Sequence, residues 1–148
     1  MTPPYVMLVD DEVPFVETTA KRLTKRKIQT ISAFGAEEGL EKLKDNQDLD
    51  VIVLDIKMPG MDGIDALKEI KIISPLVEVI MLTGHATIES AIEAMKLGAH
   101  DFLMKPFDIE ELVLKIEEAA AKKQQQEEKI EQAFKEKTLS KYGPFYYT

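Results

Sequence analysis

Several residue types that commonly build functional sites are missing from this sequence or rare in it. The chain has no cysteine, and only two of its 148 residues are histidine. The lack of cysteine excludes disulfide bonds, thiolate nucleophiles and cysteine-based zinc sites, while two histidines leave little room for a histidine-rich metal centre. The sequence also lacks an apolar run close to the roughly 18–20 residues of a membrane span, and it lacks the start of a signal peptide.

Positively charged residues are also fewer than negatively charged ones. The 19 Lys and Arg residues are outnumbered by 27 Asp and Glu residues, so the formal net charge is −8. This balance disfavours a nucleic-acid binder that works through a basic face. The hydrophobic content of 45% is nevertheless enough for a folded core. We therefore expect a cytoplasmic, acidic protein with a single core and no direct contact with nucleic acid or a membrane.

Short apolar runs alternate with segments of helical periodicity. The apolar runs predict strands over residues 5–9, 28–32, 51–54, 77–82 and 101–104. The periodic segments predict helices over residues 13–26, 36–46, 63–73 and 87–97. Runs of β-branched and large apolar residues without strict alternation are typical of strands that are buried on both faces. Successive β–α units of this kind predict an α/β protein, with an open parallel sheet covered by helices on both sides.

The fourth helical segment carries a stripe of apolar residues. They recur at the spacing of one helix face, at Ile88, Ala91, Ile92 and Met95. Gly98 follows this stripe, at the point where a left-handed C-terminal cap favours glycine. The segment therefore has both the periodicity and the stop signal of an amphipathic helix.

The last helix is predicted to be unusually long. Asp108 is a candidate N-cap, and no glycine or proline follows it until Gly143. A continuous helix to about Lys137 would be roughly 44 Å long, which exceeds what is needed to cover one face of a sheet. Lys123 and Gln126 interrupt its apolar seam, so it would make a weak coiled coil. An equally favoured interpretation is that the helix continues past the domain as a solvated extension with charges of both signs.

Polar residues follow four of the predicted strands, at the end where ligand sites of parallel sheets form. These residues are Asp10-Asp11-Glu12, Asp55, Thr83-Gly84 and Lys105-Pro106. Because the carboxyl ends of parallel strands meet at one edge of the sheet, we expect carboxylates, a hydroxyl and an ammonium group to converge there. Each residue taken alone also suits a turn, a helix cap or an exposed charge.

Clustered carboxylates repel one another unless a cation or a proton lies among them. Since cysteine is absent and histidine is rare, Mg²⁺ is the expected occupant, because it needs only one or two carboxylates and a phosphoryl oxygen. Asp55 can then act as a nucleophile, since aspartate forms acyl phosphates. Lys105 and Thr83 can bind the remaining phosphoryl oxygens. The pattern therefore predicts phosphoryl chemistry at this edge.

Four segments of the chain resemble the receiver domain of two-component response regulators. They are Val9-Asp10-Asp11-Glu12, Asp55-Ile-Lys-Met-Pro-Gly-Met-Asp-Gly63, Thr83-Gly84 and Lys105-Pro106-Phe107. The resemblance covers residues 4–121 as a receiver domain and leaves residues 122–148 as a helical extension with a short aromatic tail. It implies a flavodoxin-like, doubly wound, five-stranded parallel sheet in the order 2-1-3-4-5, with five helices of which the last is extended.

The resemblance also implies roles for individual residues. The aspartate that matches Asp55 accepts a phosphoryl group from the phosphohistidine of a sensor histidine kinase. Asp10, Asp11 and Asp55 would hold Mg²⁺ together with the backbone carbonyl of Lys57. Thr83 and Lys105 match the switch hydroxyl and the phosphate-binding lysine of the family, and the bond between Lys105 and Pro106 resembles the family's cis peptide.

Two further positions are implied to take part in signalling. Phe102 corresponds to an aromatic switch residue that turns inward on the fifth strand, although plain core packing is an alternative for it. The fourth helix, fifth strand and fifth helix would then carry the output. Lys57 and His85 flank the expected path of the water that hydrolyses the phosphoaspartate. Neither side chain is a carboxylate or an amide suited to orienting that water, so we expect slow dephosphorylation.

Residues 83–107 look like receivers of the nitrogen-regulator class, which usually precede an ATPase domain and a DNA-binding domain. No pattern of either domain follows in this sequence, so we expect a single-domain regulator or a piece of a longer chain. The expected partners are a sensor histidine kinase, a downstream protein or output domain, and a second copy in a homodimer. The chain is expected to catalyse only its own phosphorylation and dephosphorylation.

Two other functions stay open at this point. A Mg²⁺-dependent phosphatase or phosphotransferase would use the same aspartyl intermediate, but such enzymes commonly have a second acid two residues after the nucleophile, where this chain has Lys57. A constitutive dimerisation scaffold with a receiver fold would use the long last helix, but it would not need the whole set of polar residues at the strand ends.

Overall fold

The computed structural model of the chain describes residues 2–84 and 87–142, with side chains up to Leu139. Five strands alternate with five helices. The strands are β1 (Tyr5–Val9), β2 (Gln29–Ala33), β3 (Val51–Leu54), β4 (Glu78–Thr83) and β5 (Asp101–Met104). The helices are α1 (Val13–Lys25), α2 (Ala36–Asp45), α3 (Gly63–Ile73), α4 (Ile88–Lys96) and α5 (Ile109–Tyr142).

All neighbouring strands are parallel, and their order in the sheet is β2-β1-β3-β4-β5. This arrangement confirms the predicted doubly wound fold. In the sheet, β2 lies on one side of β1, whereas β3, β4 and β5 follow in order on its other side. The carboxyl ends of β1 and β3 therefore flank the point where the strand order reverses, which is where open α/β sheets bind their ligands.

Each face of the sheet has its own hydrophobic core. On β1, Met7 and Val9 face the core formed with α2, α3 and α4, whereas Val6 and Leu8 face the core formed with α1 and α5. This alternation follows from the two-residue period of a strand. Because both faces are covered, every residue of β3 and β4 is buried. This explains their nearly continuous apolar sequence.

The predicted second and fourth strands, over residues 28–32 and 77–82, each begin and end one residue earlier than β2 and β4 do in the structure. Ile28 belongs to the turn after α1, because its N–H donates to the carbonyl of Leu23. Similarly, the N–H of Val77 donates to the carbonyl of Ser74 in a turn. At the other end of β4, Thr83 pairs with Met104 and extends the strand. Local turn hydrogen bonds, which apolarity alone does not reveal, set these boundaries.

The apolar stripe of α4 faces outward. The exposed fractions of Ile88, Ile92 and Met95 are 81%, 50% and 46%. Within this helix, all of whose residues the structure describes, only Ala94 is buried. The helix begins with a capping box in which Thr87 and Ser90 satisfy each other's backbone N–H groups. Gly98, with φ of 99°, follows its end as predicted. α4 is thus a well-capped helix whose apolar stripe has little contact with the sheet.

Helix α5 is longer than the sequence predicted. It has 34 residues and extends to Tyr142, so it is about 51 Å long. Leu112, Ile116 and Ala119 are fully buried against the sheet. The helix continues past that contact, and its residues from Glu127 to Lys137 are exposed. None of the helices among the described residues combines the length and the apolar character needed to cross a membrane.

Lys123 continues the buried face of α5 although it is charged. Its side chain is 7% exposed, and its Nζ lies 3.2 Å from Asp50 Oδ1 and 2.9 Å from Glu127 Oε1. The other carboxylate oxygen of Asp50 accepts a hydrogen bond from the N–H of Tyr5. Burial alone lowers the pKa of Lys123, but its hydrogen bonds to Glu127 and Asp50 outweigh this and raise it. The residue that interrupts the apolar seam therefore anchors the helix to the sheet.

Replacing Lys123 by Ala should destabilise the protein by about 3 kcal/mol, because it leaves the buried Asp50 carboxylate without its cation. The free energy of unfolding can be measured by urea titration. Lys135→Ala is the matched control, since Lys135 forms an exposed pair with Glu131 on the same helix, and a change of at most about 0.5 kcal/mol is expected there. Equal effects of the two substitutions would show that the Lys123 pair contributes no more than an exposed one.

Candidate functional site

Three carboxylates converge where the strand order reverses. Asp10 follows β1 and Asp55 follows β3, and the two side chains are each 5% exposed. Asp11, the next residue after Asp10, is exposed. One oxygen from each of the three carboxylates lies within 4.8 Å of the other two. The structure thus confirms that the predicted acidic residues form a single cluster, with one member open to solvent.

The sheet itself positions these carboxylates. The N–H of Asp55 donates to the carbonyl of Val9, and the N–H of Asp10 donates to the carbonyl of Ala33. The backbone hydrogen-bond pattern therefore continues one residue past each strand. The side chain of Asp10 is also fixed, because its Oδ1 accepts a hydrogen bond from the N–H of Glu12 at 3.0 Å. Both carboxylates are held in place before any ligand binds.

Lys105 supplies the positive charge of the cluster from the loop after β5. Its Nζ lies 2.6 Å from Asp10 Oδ2, 3.4 Å from Glu12 Oε1 and 3.8 Å from Asp55 Oδ2. The backbone N–H of Lys105 donates to the carbonyl of Thr83, which ties this loop to the end of β4. The peptide bond to Pro106 is cis, as the resemblance implied. Lys105 thus reaches the acids that follow two other strands, β1 and β3.

Phe15 is a member of the site that sequence reasoning missed. Lys105 Nζ lies 4.1 Å from the centre of the Phe15 ring, an arrangement in which the face of the ring attracts the cation. Phe15 is itself held edge-on against Phe107, with ring centres 6.0 Å apart. The only signal in the sequence was its place in the first turn of α1, directly after Pro14, and this does not distinguish it from a core residue.

The charges of the cluster shift the pKa values of two of its members. Burial and the neighbouring Asp10 charge raise the pKa of Asp55, although Lys105 and hydrogen bonds from Thr83 and Lys57 act in the opposite direction. Burial lowers the pKa of Lys105, but the hydrogen bond and charge of Asp10, with Asp55 and Glu12, outweigh it and raise the pKa overall. Lys105 is therefore a permanent cation, whereas Asp55 is a carboxylate whose negative charge is poorly compensated.

The other predicted site residues differ in how close they lie to this cluster. Thr83 is fully buried at the end of β4, and its side chain forms a hydrogen bond with the Asp55 carboxylate. The backbone N–H of Lys57 lies 3.4 Å from Asp55 Oδ1, while the Lys57 side chain is exposed. Phe102 is partly buried against the core formed with α2, α3 and α4. His85 lies outside the described residues.

The loop after Asp55 depends on a glycine at its far end. The N–H of Gly63 donates to the carbonyl of Ile56 at 2.7 Å. A Cβ at position 63 would lie 2.1 Å from the carbonyl oxygen of Asp55, so no other residue fits without moving the backbone. Asp62 begins α3 by accepting a hydrogen bond from the N–H of Asp65. This close approach connects the start of α3 to the backbone of Asp55.

The fold and the site together define a doubly wound α/β protein with an acid and lysine cluster at its switch point. The family model of the response regulator receiver domain matches residues 6–117. The chain belongs to this family, as its resemblance implied. Receiver domains of this family are the phosphate-accepting modules of two-component signalling.

The relatives place the chain in the nitrogen-regulator-like class. It is 34% identical over 116 residues to the transcriptional regulatory protein ZraR of Klebsiella oxytoca, covering 78% of this chain and 26% of that protein. It is 38% identical over 114 residues to the DNA-binding transcriptional regulator NtrC of Escherichia coli strain K12, covering 77% and 24%. The chain thus spans about a quarter of the length of the curated relatives it matches.

Solved structures agree with this assignment. The receiver domain of NtrX from Brucella abortus is 36% identical, with a TM-score of 0.73, and the match covers 78% of this chain and 98% of that one. A receiver domain protein from Clostridium thermocellum is 35% identical, with a TM-score of 0.78, and the match covers 82% and 97%. Both matches span nearly all of the receiver structure but leave part of this chain unmatched.

Replacing Asp55 by Asn should stabilise the fold in metal-free buffer at neutral pH. Because the folded-state pKa of Asp55 is raised, the ionised form costs free energy that asparagine avoids, and we expect a gain on the order of 1 kcal/mol at pH 7. The difference between the two proteins should shrink as the pH falls through the folded-state pKa, since the wild-type carboxyl then binds a proton. Urea unfolding at several pH values measures this.

The exposed Asp48 provides the control for that comparison. Asp48→Asn also removes one negative charge, but from a side chain outside the cluster. We expect it to change the free energy of unfolding by less than about 0.5 kcal/mol. A gain for Asp55→Asn that did not depend on pH would contradict an electrostatic origin.

Proposed function

We propose that Asp55 is the phospho-acceptor of this receiver domain, with a sensor histidine kinase as the phosphodonor. The observation that carries the proposal is the close set of Asp55, Thr83 and Lys105, in which a carboxylate nucleophile has a hydroxyl and an ammonium group beside it. Phosphoryl transfer requires positioning and charge stabilisation more than covalent help from further groups. This set supplies both at the edge of the sheet.

Mg²⁺ fits the donor atoms that the cluster offers. The three carboxylates provide only oxygen ligands, which are the kind that Mg²⁺ prefers. Asp10, Asp11 and Asp55 would hold it, with the backbone carbonyl of Lys57 as a fourth ligand from the protein. Bound there, the ion would neutralise charge on the carboxylates and on the phosphoryl oxygens. The poorly compensated charge of Asp55 agrees with a site built to receive a cation.

The residues of the chain would share the remaining work. A carboxylate oxygen of Asp55 attacks phosphorus, so that an acyl phosphate bond forms while the bond between phosphorus and the histidine nitrogen of the donor breaks. Lys105, whose pKa is raised, stays charged and shifts from Asp10 towards a phosphoryl oxygen. The hydroxyl of Thr83 donates a hydrogen bond to another phosphoryl oxygen, in place of its bond to Asp55.

The outward apolar stripe of α4 is the best candidate for the output surface. Movement of Thr83 towards the phosphoryl group acts at the end of β4, close to where α4 begins at Ile88. Phe102 lies beside Met81 of β4 in the sheet register, so a change in β4 reaches it directly. We infer that Thr83 and Phe102 change position together and alter how Ile88, Ile92 and Met95 are presented to a downstream protein or output domain.

Two alternatives are less well supported. A phosphatase or phosphotransferase that acts on an external substrate would need a second acid near the nucleophile, but the residue two positions after Asp55 is Lys57. A constitutive scaffold would not need the cluster of Asp10, Asp55 and Lys105 that the fold keeps together. We therefore propose that the chain catalyses only its own phosphorylation and dephosphorylation, with residues 4–121 as the receiver domain and residues 122–148 as an extension.

The phospho-acceptor proposal predicts a mass increase of one phosphoryl group after incubation with acetyl phosphate and Mg²⁺. Intact mass spectrometry measures it. The increase should be absent without Mg²⁺ and absent in Asp55→Ala, whereas Asp48→Ala should behave as wild type. Because a short-lived adduct can escape detection, beryllofluoride binding is measured in parallel. A protein that neither gains mass nor binds this phosphoryl mimic would contradict the proposal.

Lys57 is proposed to make dephosphorylation slow, since its side chain is exposed beside the nucleophile and cannot act as a base that orients water. Lys57→Asn introduces an amide that can orient water, and we expect the phosphate to be lost about 3- to 10-fold faster. The decay of the phosphorylated mass over time gives the rate. Lys68→Asn, which changes an exposed lysine on α3, should decay as wild type. An unchanged rate for Lys57→Asn would count against this role.

A further inference from the structure

The ammonium group of Lys105 has two kinds of neighbour, carboxylates and an aromatic ring. Its Nζ donates hydrogen bonds to Asp10 Oδ2 at 2.6 Å and to Glu12 Oε1 at 3.4 Å. Asp55 Oδ2 lies 3.8 Å away, which is too far for a hydrogen bond. The centre of the Phe15 ring lies 4.1 Å from the same nitrogen. The ring therefore contacts the ammonium group about as closely as the nucleophile does.

The ring of Phe15 is itself held in place. Its centre lies 6.0 Å from that of Phe107, and the two planes form an angle of 80°, which is the edge-to-face arrangement that aromatic pairs favour. Both rings pack against the core formed with α1 and α5. The Phe15 ring also lines a small cavity together with Asp10 and Asp55. Its face is thus fixed beside the acids before any ligand binds.

The phosphoryl transfer proposed above requires Lys105 to give up its shortest contact. Asp10 is also a proposed Mg²⁺ ligand, and one carboxylate cannot pair fully with two cations. The pair with Glu12 is a weak substitute, because the Glu12 side chain is 61% exposed and water screens the contact. A lysine side chain that loses its partners gains many conformations. The ring of Phe15 offers a contact for which neither Mg²⁺ nor a phosphoryl group competes, since it carries no oxygen and no charge.

A ring face also allows the ammonium group to move. Since Asp55 Oδ2 lies 3.8 Å from Nζ and a charge-assisted hydrogen bond is about 2.8 Å long, a movement of about 1 Å brings Lys105 within reach of an oxygen at Asp55. Attraction between a cation and a ring persists to roughly 6 Å from the ring centre. Because Nζ starts 4.1 Å from the centre of the Phe15 ring, it can make this movement and stay in contact with the ring.

We propose that Phe15 is a positioning residue for Lys105, and that its ring face holds the ammonium group beside Asp55 when Asp10 no longer does. The proposal rests on the proposed function, because it gives Lys105 a phosphoryl oxygen as its target. Phe15 does not touch the reacting atoms and acts only through Lys105. We expect loss of the ring to slow phosphorylation about 3- to 10-fold, which corresponds to one cation–π contact.

The rate of phosphorylation by acetyl phosphate at saturating Mg²⁺ tests this role, because so small a donor needs no docking surface on the protein. Phe15→Leu keeps an apolar side chain but removes the ring, and it should react about 3- to 10-fold more slowly. Phe15→Tyr keeps the ring and should recover most of the loss. Phe134→Leu makes the same change at an exposed ring on the extension. It is the matched control and should react as wild type.

A second background separates positioning from packing. Lys105→Met removes the ammonium group but keeps an apolar stem, so Phe15→Leu should have no further effect on the rate in that background. An equal loss in both backgrounds would overturn the proposal, since the ring would then act without Lys105. A wild type that neither gains a phosphoryl group nor binds beryllofluoride would contradict the proposed function itself. A reactive wild type that Phe15→Leu matches in rate would overturn the positioning role alone.

NMR of protein with ¹³C-labelled lysine gives a readout that does not depend on phosphorylation. The ring current of Phe15 should shift the Cε protons of Lys105 upfield, and Lys105→Met identifies their signal by its loss. Phe15→Leu should abolish this shift. Addition of Mg²⁺ to the wild type should preserve it, because the ring retains the ammonium group when Asp10 is engaged by the ion. Loss of the upfield shift on adding Mg²⁺ would overturn the proposal.

Discussion

The sheet brings two like charges close together, the carboxylates of Asp10 and Asp55, and the rest of the site compensates for their repulsion. Asp10 and Asp55 follow adjacent parallel strands, and backbone hydrogen bonds to Ala33 and Val9 keep both residues in the sheet register. Neither carboxylate can move away without breaking that register, so their repulsion must be balanced locally. Lys105 provides part of the balance from a third strand end. The remaining negative charge supports the proposal that the site binds a cation and, with it, a phosphoryl group.

The opposite edge of the sheet uses the same kind of interaction for stability. Three lysines of α5 each pair with an acid near the start of a strand: Lys115 with Asp101, Lys122 with Glu78, and Lys123 with Asp50. The acids belong to three neighbouring strands, so one helix fastens all of them. Because these pairs hold α5 against the sheet, they also orient its exposed extension.

Most of the fold and site could be predicted because both follow from patterns that are local in sequence. Apolar runs located the strands, and the topology of parallel sheets then brought Asp10, Asp55, Thr83 and Lys105 together. Apart from the strand boundaries that local turns set, the errors concern contacts between distant residues. Lys123 reads as a break in the seam until Asp50, 73 residues away, is known to be its partner. Phe15 reads as core until Lys105 is placed over its ring. Periodicity showed that α4 has an apolar face but not which way that face points.

The outward direction of that face bears on how the switch can work. A helix held by many buried side chains would resist displacement, whereas α4 contributes one buried residue, Ala94. Its capping box and Gly98 preserve its internal structure, so it can shift as a unit without unfolding. Elements with few buried contacts have the smallest free-energy cost of movement. In the switch that we propose, a change of one hydrogen bond at Thr83 is a small input, and α4 is a neighbouring element with few buried contacts to resist it.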